Sequence, residues 1–378
     1  MKQGESPQSK RHYTALFLLL MPLFFIVIWI RYYLVVFFNL IQREVSFGFV
    51  LSLSGRILLI SACLSLITTF LFYLLRELVS VTWHIQFRSH LLHFNLRTVL
   101  IILITVLCLI PSVKGFMHWH KLHPIMQGIN RVQASLASDG FIMHACGKIT
   151  DENGKVHTRT NSYEAFMHCI ENDHRFIELD MLPTSDQTLV CLHGWKRWYD
   201  RNGIKGSGQV TTEEFLAGSI AGQFTPMSMD DVAAIMREHP EVYIITDMKK
   251  SAVIPNCQIL ARLYPDLKDR FIVQIYHADE YEAIYEMGFH NIIYTLYRAT
   301  SEERSAAELK TFCSSHLLVG LTLHRKWFSD EAYFNAVWEI GTPLYIHTID
   351  DQEKMLRMFA NGVDAIYTNE IFNRGDFS

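Results

Sequence analysis

Two acids and two histidines of this chain stand at spacings that would let them share one bound ion and one ester. The segment Phe176-Ile177-Glu178-Leu179-Asp180-Met181 reads as a strand, and residues two apart on a strand share a face. Ile177, Leu179 and Met181 suit a core, which leaves Glu178 and Asp180 side by side on the other face. Like-charge repulsion and desolvation make that pair costly unless a cation or a proton lies between them. His144 ends the apolar run Phe141-Ile142-Met143, and His193 ends Leu189-Val190-Cys191-Leu192. Asp247 ends Tyr243-Ile244-Ile245-Thr246, with Lys249 two residues further on. Such a set could cleave a phosphodiester with metal assistance. Glu178, Asp180 and Asp247 offer hard oxygen ligands suited to one Ca²⁺ or Mg²⁺ rather than zinc. A neutral imidazole would take the proton of the attacking hydroxyl, and a protonated one would supply the leaving oxygen. Lys249 would set a positive charge against the phosphate. Taken singly, a histidine at a strand end is more often a structural hydrogen-bonder; it is the joint arrangement that points to chemistry.

The elements that must position these groups alternate. Strand candidates are 141–145, 176–181, 189–193, 242–247, 271–275, 291–295, 318–322, 343–347 and 365–368. Helix candidates between them are 162–172, 229–238, 279–287, 303–314, 330–340 and 352–360. Short apolar strands alternating with helices imply βαβ units and a parallel sheet, and polar residues at successive strand ends suit the mouth of a barrel. Residues 138–378 are therefore expected to form an α/β domain, a (β/α)8 TIM barrel. An open doubly wound sheet is the competitor, although no GxGxxG follows the first strand. Gln274, His324 and His347 also end strands and are candidates for substrate contacts or structural polar roles. The Gly-rich segment 195–224 reads as an insertion over the site, in which Trp195 could stack on substrate or pack the loop down.

Residues 1–117 are far more apolar and hold three runs of near-membrane length, expected as transmembrane helices at about 14–38, 57–75 and 96–115. The first run is too long for the core of a cleaved signal peptide, and no small-residue cleavage site follows it. Lys2, Lys10 and Arg11 precede the first helix, and Arg76, Arg88 and Arg97 follow the second, against Arg43 and Arg56 between them. The positive-inside bias puts the N-terminus in the cytoplasm and, after three crossings, the barrel outside it, on a multi-pass membrane protein. Residues 118–137 are expected to be a linker in which Pro124 and Gly128 break any continuous helix. A net charge of −4 without a basic cluster argues against nucleic acid as a partner. The chain has seven cysteines, and the five beyond the membrane domain cannot all pair. Cys146 and Cys191 could pair with each other, but small buried hydrophobes are the favoured reading.

Several blocks in order resemble the glycerophosphodiester phosphodiesterase family. They are His144-Ala145-Cys146-Gly147, Thr160-Asn161-Ser162 with the following Ala165-Phe166, Glu178-Leu179-Asp180, Thr184-Ser185-Asp186 and Val190-Cys191-Leu192-His193. Thr348-Ile349-Asp350 and Asn361-Gly362-Val363-Asp364-Ala365-Ile366-Tyr367-Thr368-Asn369 extend the likeness, which covers residues 140–370. The resemblance implies a barrel related to phosphatidylinositol-specific phospholipase C, with His144 and His193 as the acid/base pair. It also implies Glu178, Asp180 and Asp247 as metal ligands and Lys249 near the phosphate. Departures from the family pattern are Ala145 and Cys146 in place of Arg and Gly, and Thr160 in place of Glu. Gln187 replaces Gly, Gly194 replaces Asp, and Asp247 replaces the usual Glu. Losing the Arg after His144 removes a phosphate contact. The expected function is hydrolysis of glycerophosphodiesters or of related phospholipid or glycerol-phosphate-polymer diesters. Headgroup cleavage of the phospholipase C or D kind, and an inactive barrel with a scaffold role in membrane assembly, are the alternatives.

Overall fold

The computed structural model describes residues 120–248 and 252–372, and the three apolar runs expected to cross a membrane lie outside that range. Among the described residues no helix is long and apolar enough to cross a membrane. Eleven strands are described: β1 (Phe141–Met143), β2 (Lys148–Thr150), β3 (Val156–Thr158), β4 (Phe176–Pro183), β5 (Leu189–Cys191), β6 (Tyr243–Asp247), β7 (Phe271–Ile275), β8 (Ile292–Thr295), β9 (Gly320–His324), β10 (Leu344–His347) and β11 (Ala365–Thr368). Eight of them, β1, β4 and β6 to β11, are parallel neighbours in that order, and β1 pairs with both β11 and β4. The sheet closes on itself as an eight-stranded parallel barrel, so the open-sheet alternative falls away.

Alternation along each strand sorts the interior by height. Ile142, Phe176, Ile245, Ile272, Ile293, Tyr345 and Ala365 form one buried apolar cluster at the N-terminal end of the barrel. Two residues on from five of them come His144, Glu178, Asp247, Gln274 and His347, so each strand changes from apolar to polar as it nears the C-terminal mouth. The neighbouring positions Ile177, Leu179 and Met181, with Ile244, Val273 and Leu321, belong to the larger outer cluster shared with the helices.

Three expectations are corrected. Residues 120–139 are a continuous helix and not a broken linker. Ile129, Val132 and Leu136 recur at helical spacing and are buried against the apolar end of the barrel. That burial outweighs the roughly 1 kcal/mol that Gly128 costs in a helix and the one backbone bond that Pro124 forgoes. The strand at 189–193 is not a barrel stave. After the turn at Thr184–Thr188, β5 folds back antiparallel on the end of β4, pairing Met181 with Cys191. A fully buried hairpin strand has the same apolar run as a stave, so periodicity cannot separate them. The segment 195–224 is ordered by two helices, Trp195–Asn202 and Thr212–Leu216, around its own cluster of Leu192, Trp198, Phe215, Ile220 and Phe224. The helix Val253–Leu263 is not among the sequence candidates; its Pro255 falls in the first turn, where proline is tolerated. Cys146, Cys169, Cys191, Cys257 and Cys313 are all free thiols.

Gly320 shows how tightly the lumen is filled. Tyr345 on the adjoining strand is fully buried, and its hydroxyl donates to the Val319 carbonyl at 2.9 Å. A Cβ on Gly320 would lie 2.3 Å from the Tyr345 ring and 2.8 Å from the Pro343 carbonyl. Gly320→Ala is expected to lower stability by about 1–3 kcal/mol, as overpacked cores do, read as an earlier urea midpoint. An unchanged midpoint would show that the tyrosine can move aside.

Candidate active site

The barrel strands bring the three acids to one rim. Glu178 and Asp180 come from the inner face of β4, and Asp180 is in register with Asp247 of β6. All three are buried, at 1%, 3% and 7% exposure. Glu178 Oε1 accepts from Gln274 Nε2 at 3.3 Å, and Gln274 Oε1 in turn accepts from Thr295 at 2.8 Å and Tyr367 at 3.1 Å. Gln274 is thus a buried link that orients Glu178. Asp180 is held by Asn161, which donates Nδ2 to its carboxylate at 2.9 Å and accepts its backbone N–H at 3.0 Å. Asn161 takes a left-handed backbone, φ 53°, which asparagine tolerates better than most residues. Asp247 Oδ1 accepts from the Tyr276 hydroxyl. Burial, and then the Asp247 charge, push that phenol well above its ordinary range, so it remains a donor.

His144 follows β1 in a tight turn whose Ala145 and Cys146 both have positive φ. Its Nε2 lies 3.8 Å from Glu178 Oε2, and its Nδ1 lies 3.2 Å from Asn369 Oδ1. Asn369 spends its own Nδ2 on Asp350 Oδ2 at 2.8 Å, so its oxygen is the atom facing His144. The ring must then carry its hydrogen on Nδ1, which leaves the Nε2 lone pair turned to the acids. His347, at the end of β10, stands edge-on to His144 with ring centroids 4.6 Å apart. Donor atoms of His144, Glu178 and His347 all lie within 4.8 Å of one another. Buried acids on the inner faces of adjacent strands are hard oxygen donors that suit a divalent cation, and the two imidazoles converge on one of them, Glu178. Glu178, the one acid common to the carboxylate group and the imidazole cluster, is the natural anchor for it.

The remaining expected residues fall in different places. His193 is exposed, but the N–H of its neighbour Leu192 donates to the Asp180 carbonyl at 2.9 Å, so the folded-back β5 brings it to the same rim. His193 lines a cleft there with Asn161. Trp195 packs edge-on against Trp198 and Phe215 within the inserted segment's own core. His324 caps the short helix Arg325–Phe328, accepting from Lys326 N–H at 3.2 Å, which is a structural task. Lys249 lies outside the described residues. Sequence reasoning missed Asn369, Asp350 and Tyr276 as partners of the site. The Asn361-to-Asn369 block hinted at the first, but nothing local marked Tyr276.

Burial holds His144, His347 and His174 neutral. It lowers His144 to about 4, with the Asp180 charge opposing and the Arg159 charge adding to the fall. It drives His347 well below the ordinary value, and lowers His174, away from the mouth, to about 4. A base with a depressed folded pKa binds fewer protons folded than unfolded below about pH 6.5. Stability of the metal-free protein should therefore fall as pH drops from about 6.5 to about 4, by about 3 kcal/mol each for His144 and His174. Urea unfolding of chelator-treated protein across that window tests this, with a shallower slope expected for His174→Gln. A flat profile, or equal slopes in both proteins, would contradict it.

A sequence model of the glycerophosphoryl diester phosphodiesterase family matches residues 153–372, more than half of the 378-residue chain. Among solved structures, a candidate glycerophosphodiester phosphodiesterase from Galdieria sulphuraria superposes with a TM-score of 0.51 at 17% identity, covering 63% of this chain and 96% of its own; at that identity the likeness speaks for the barrel fold alone. A glycerophosphodiester phosphodiesterase from Parabacteroides distasonis gives 0.48 at 20% identity, over 63% and 96% of the two chains. No curated protein matches the chain.

Proposed function

The chain belongs to the glycerophosphoryl diester phosphodiesterase family and is a phosphodiester hydrolase, and from that premise we propose that it cleaves glycerophosphodiesters with one divalent cation and a pair of histidines. The observation that carries this reading is the buried meeting of Glu178 with His144, beside Asp180 and Asp247, at the mouth of the barrel. Glu178, Asp180 and Asp247 would hold the ion, Ca²⁺ or Mg²⁺ by the hardness of the set. When bound, it supplies charge neutralisation at a non-bridging phosphoryl oxygen.

The protein's own groups do the rest. His144, neutral and with Nε2 free of the Asn369 bond, takes the proton of the attacking water or substrate hydroxyl. His193, on the other side of Asp180, gives a proton to the leaving oxygen; its exposure lets it recharge from solvent. His347 packs on His144 and keeps that ring in place. Arg159, whose charge is felt by both His144 and His347, faces the mouth and can meet the phosphate that Ala145 no longer contacts. Residues 1–117 would anchor the enzyme through three membrane helices, N-terminus in the cytoplasm and barrel outside, where tethering raises its concentration near lipid-derived diesters.

Mass-spectrometric screening of the full chain against glycerophosphodiesters of different headgroups, with Mg²⁺, Ca²⁺ or chelator, tests the proposal. Release of glycerol phosphate or free headgroup phosphate, abolished by chelator, is the expected result. Turnover of no diester with any divalent ion would leave the scaffold reading.

A further inference from the structure

The catalytic mouth opens on its His193 side into a cleft whose far wall, on the helix Trp195–Asn202, no step above uses. Arg159, Asn161, His193, Arg197, Trp198 and Arg201 are among its lining residues. Asn161 is shared with the mouth, since it holds Asp180. Arg197 and Arg201 lie one turn apart on the helix Trp195–Asn202, which Trp198 pins to the apolar core of the inserted segment. Among the described residues, none of the three guanidiniums is paired with a carboxylate. Two arginines spaced i, i+4 repel each other and weaken their helix slightly. Both arginines line the cleft, and burial and then the Arg197 charge lower Arg201. Guanidinium groups stay charged at any physiological pH, and their forked donors match phosphate oxygens.

Resting on the reading of the mouth given above, we infer that this cleft is a second anion subsite. It would bind a further phosphate carried on the alcohol side of the scissile diester, so that the preferred substrates are polyanionic. Two sources present that chemistry: a glycerophosphodiester whose headgroup bears a phosphomonoester, and a chain of repeating glycerol phosphates. Both place a second phosphate beyond the reacting one. A cationic or neutral headgroup would leave the arginines unmatched.

The test uses the detergent-solubilised full chain and the double variant Arg197→Gln/Arg201→Gln, whose exposed positions leave the fold intact. Glycerophosphoglycerol serves as the singly charged reference, its terminally phosphorylated form as the first arm and a glycerol phosphate trimer as the second. We expect kcat/KM for at least one arm to exceed the reference about tenfold in the wild type, and to return to within about twofold of it in the variant. Hydrolysis of glycerophosphoglycerol itself should be unchanged. Equal rates on all three substrates, or a variant that loses all of them alike, would overturn the subsite. Titration calorimetry with glycerol bisphosphate reads the cleft independently of turnover. Binding about tenfold weaker in the variant supports it even if no diester is cleaved, whereas equal binding refutes it. Failure of the catalytic reading would instead appear as loss of turnover on the reference as well.

Discussion

Glu178→Gln should abolish turnover while making the metal-free protein more stable. The amide keeps the shape of the side chain and can still accept from Gln274, so the buried link to Thr295 and Tyr367 survives. What is lost is one of three negative charges buried at the mouth. Without a cation those charges repel one another in a medium that screens them poorly, so removing one relieves the folded state. With a cation the same charge is the anchor of the set. Loss of several kcal/mol of transition-state stabilisation corresponds to about a thousandfold or more in kcat/KM. A second readout is thermal: the rise in melting temperature on adding Mg²⁺ or Ca²⁺ to the wild type should vanish in the variant, because ligand stabilisation depends on affinity for the native state. Wild-type turnover, or an undiminished metal-induced shift, would remove Glu178 from the proposed role.

His144→Ala carries the second large effect. A positioned general base contributes about a hundred- to ten-thousandfold, and the loss should fall on kcat more than on KM. Its geometry is specific: Asn369 and Asp350 fix the tautomer, so Asn369→Asp should act on the same step by a different route. A carboxylate facing Nδ1 would favour the charged ring and raise the pKa of His144 from its value near 4. The acidic limb of the kcat/KM profile, expected well below pH 6.5 in the wild type, should move upward in Asn369→Asp, because more of the base is then protonated at a given pH. A profile that stays put, with His144→Ala fully active, would reassign the proton transfer to another group.

Much of this site is legible in the sequence. Period-two alternation put Glu178 and Asp180 on one face of a strand, and both are on the inner face of β4. The helices at 229–238 and 352–360 appear with those boundaries. Other features were beyond local pattern. His193 reaches the rim on a hairpin strand and not on a stave, because the choice between them depends on the turn at Thr184–Thr188 and on what β4 has left unpaired. The helix at 120–139 resembles a linker in sequence because its breakers are local, whereas the apolar floor that holds Ile129, Val132 and Leu136 is contributed by strands far along the chain.

The sequence alone determined the alternation of strands and helices, the acids on their shared face, and the family order of the motifs. These are properties of residue type and short spacing, which side-chain geometry on a strand or helix translates directly. Only the tertiary structure decided that His347 lies against His144, that Asn369 selects the proton-bearing nitrogen, and that Gln274 supports Glu178. Those contacts join residues from opposite ends of the domain. They exist because β1 closes the sheet between β11 and β4, and closure is a property of the whole barrel that no single segment encodes.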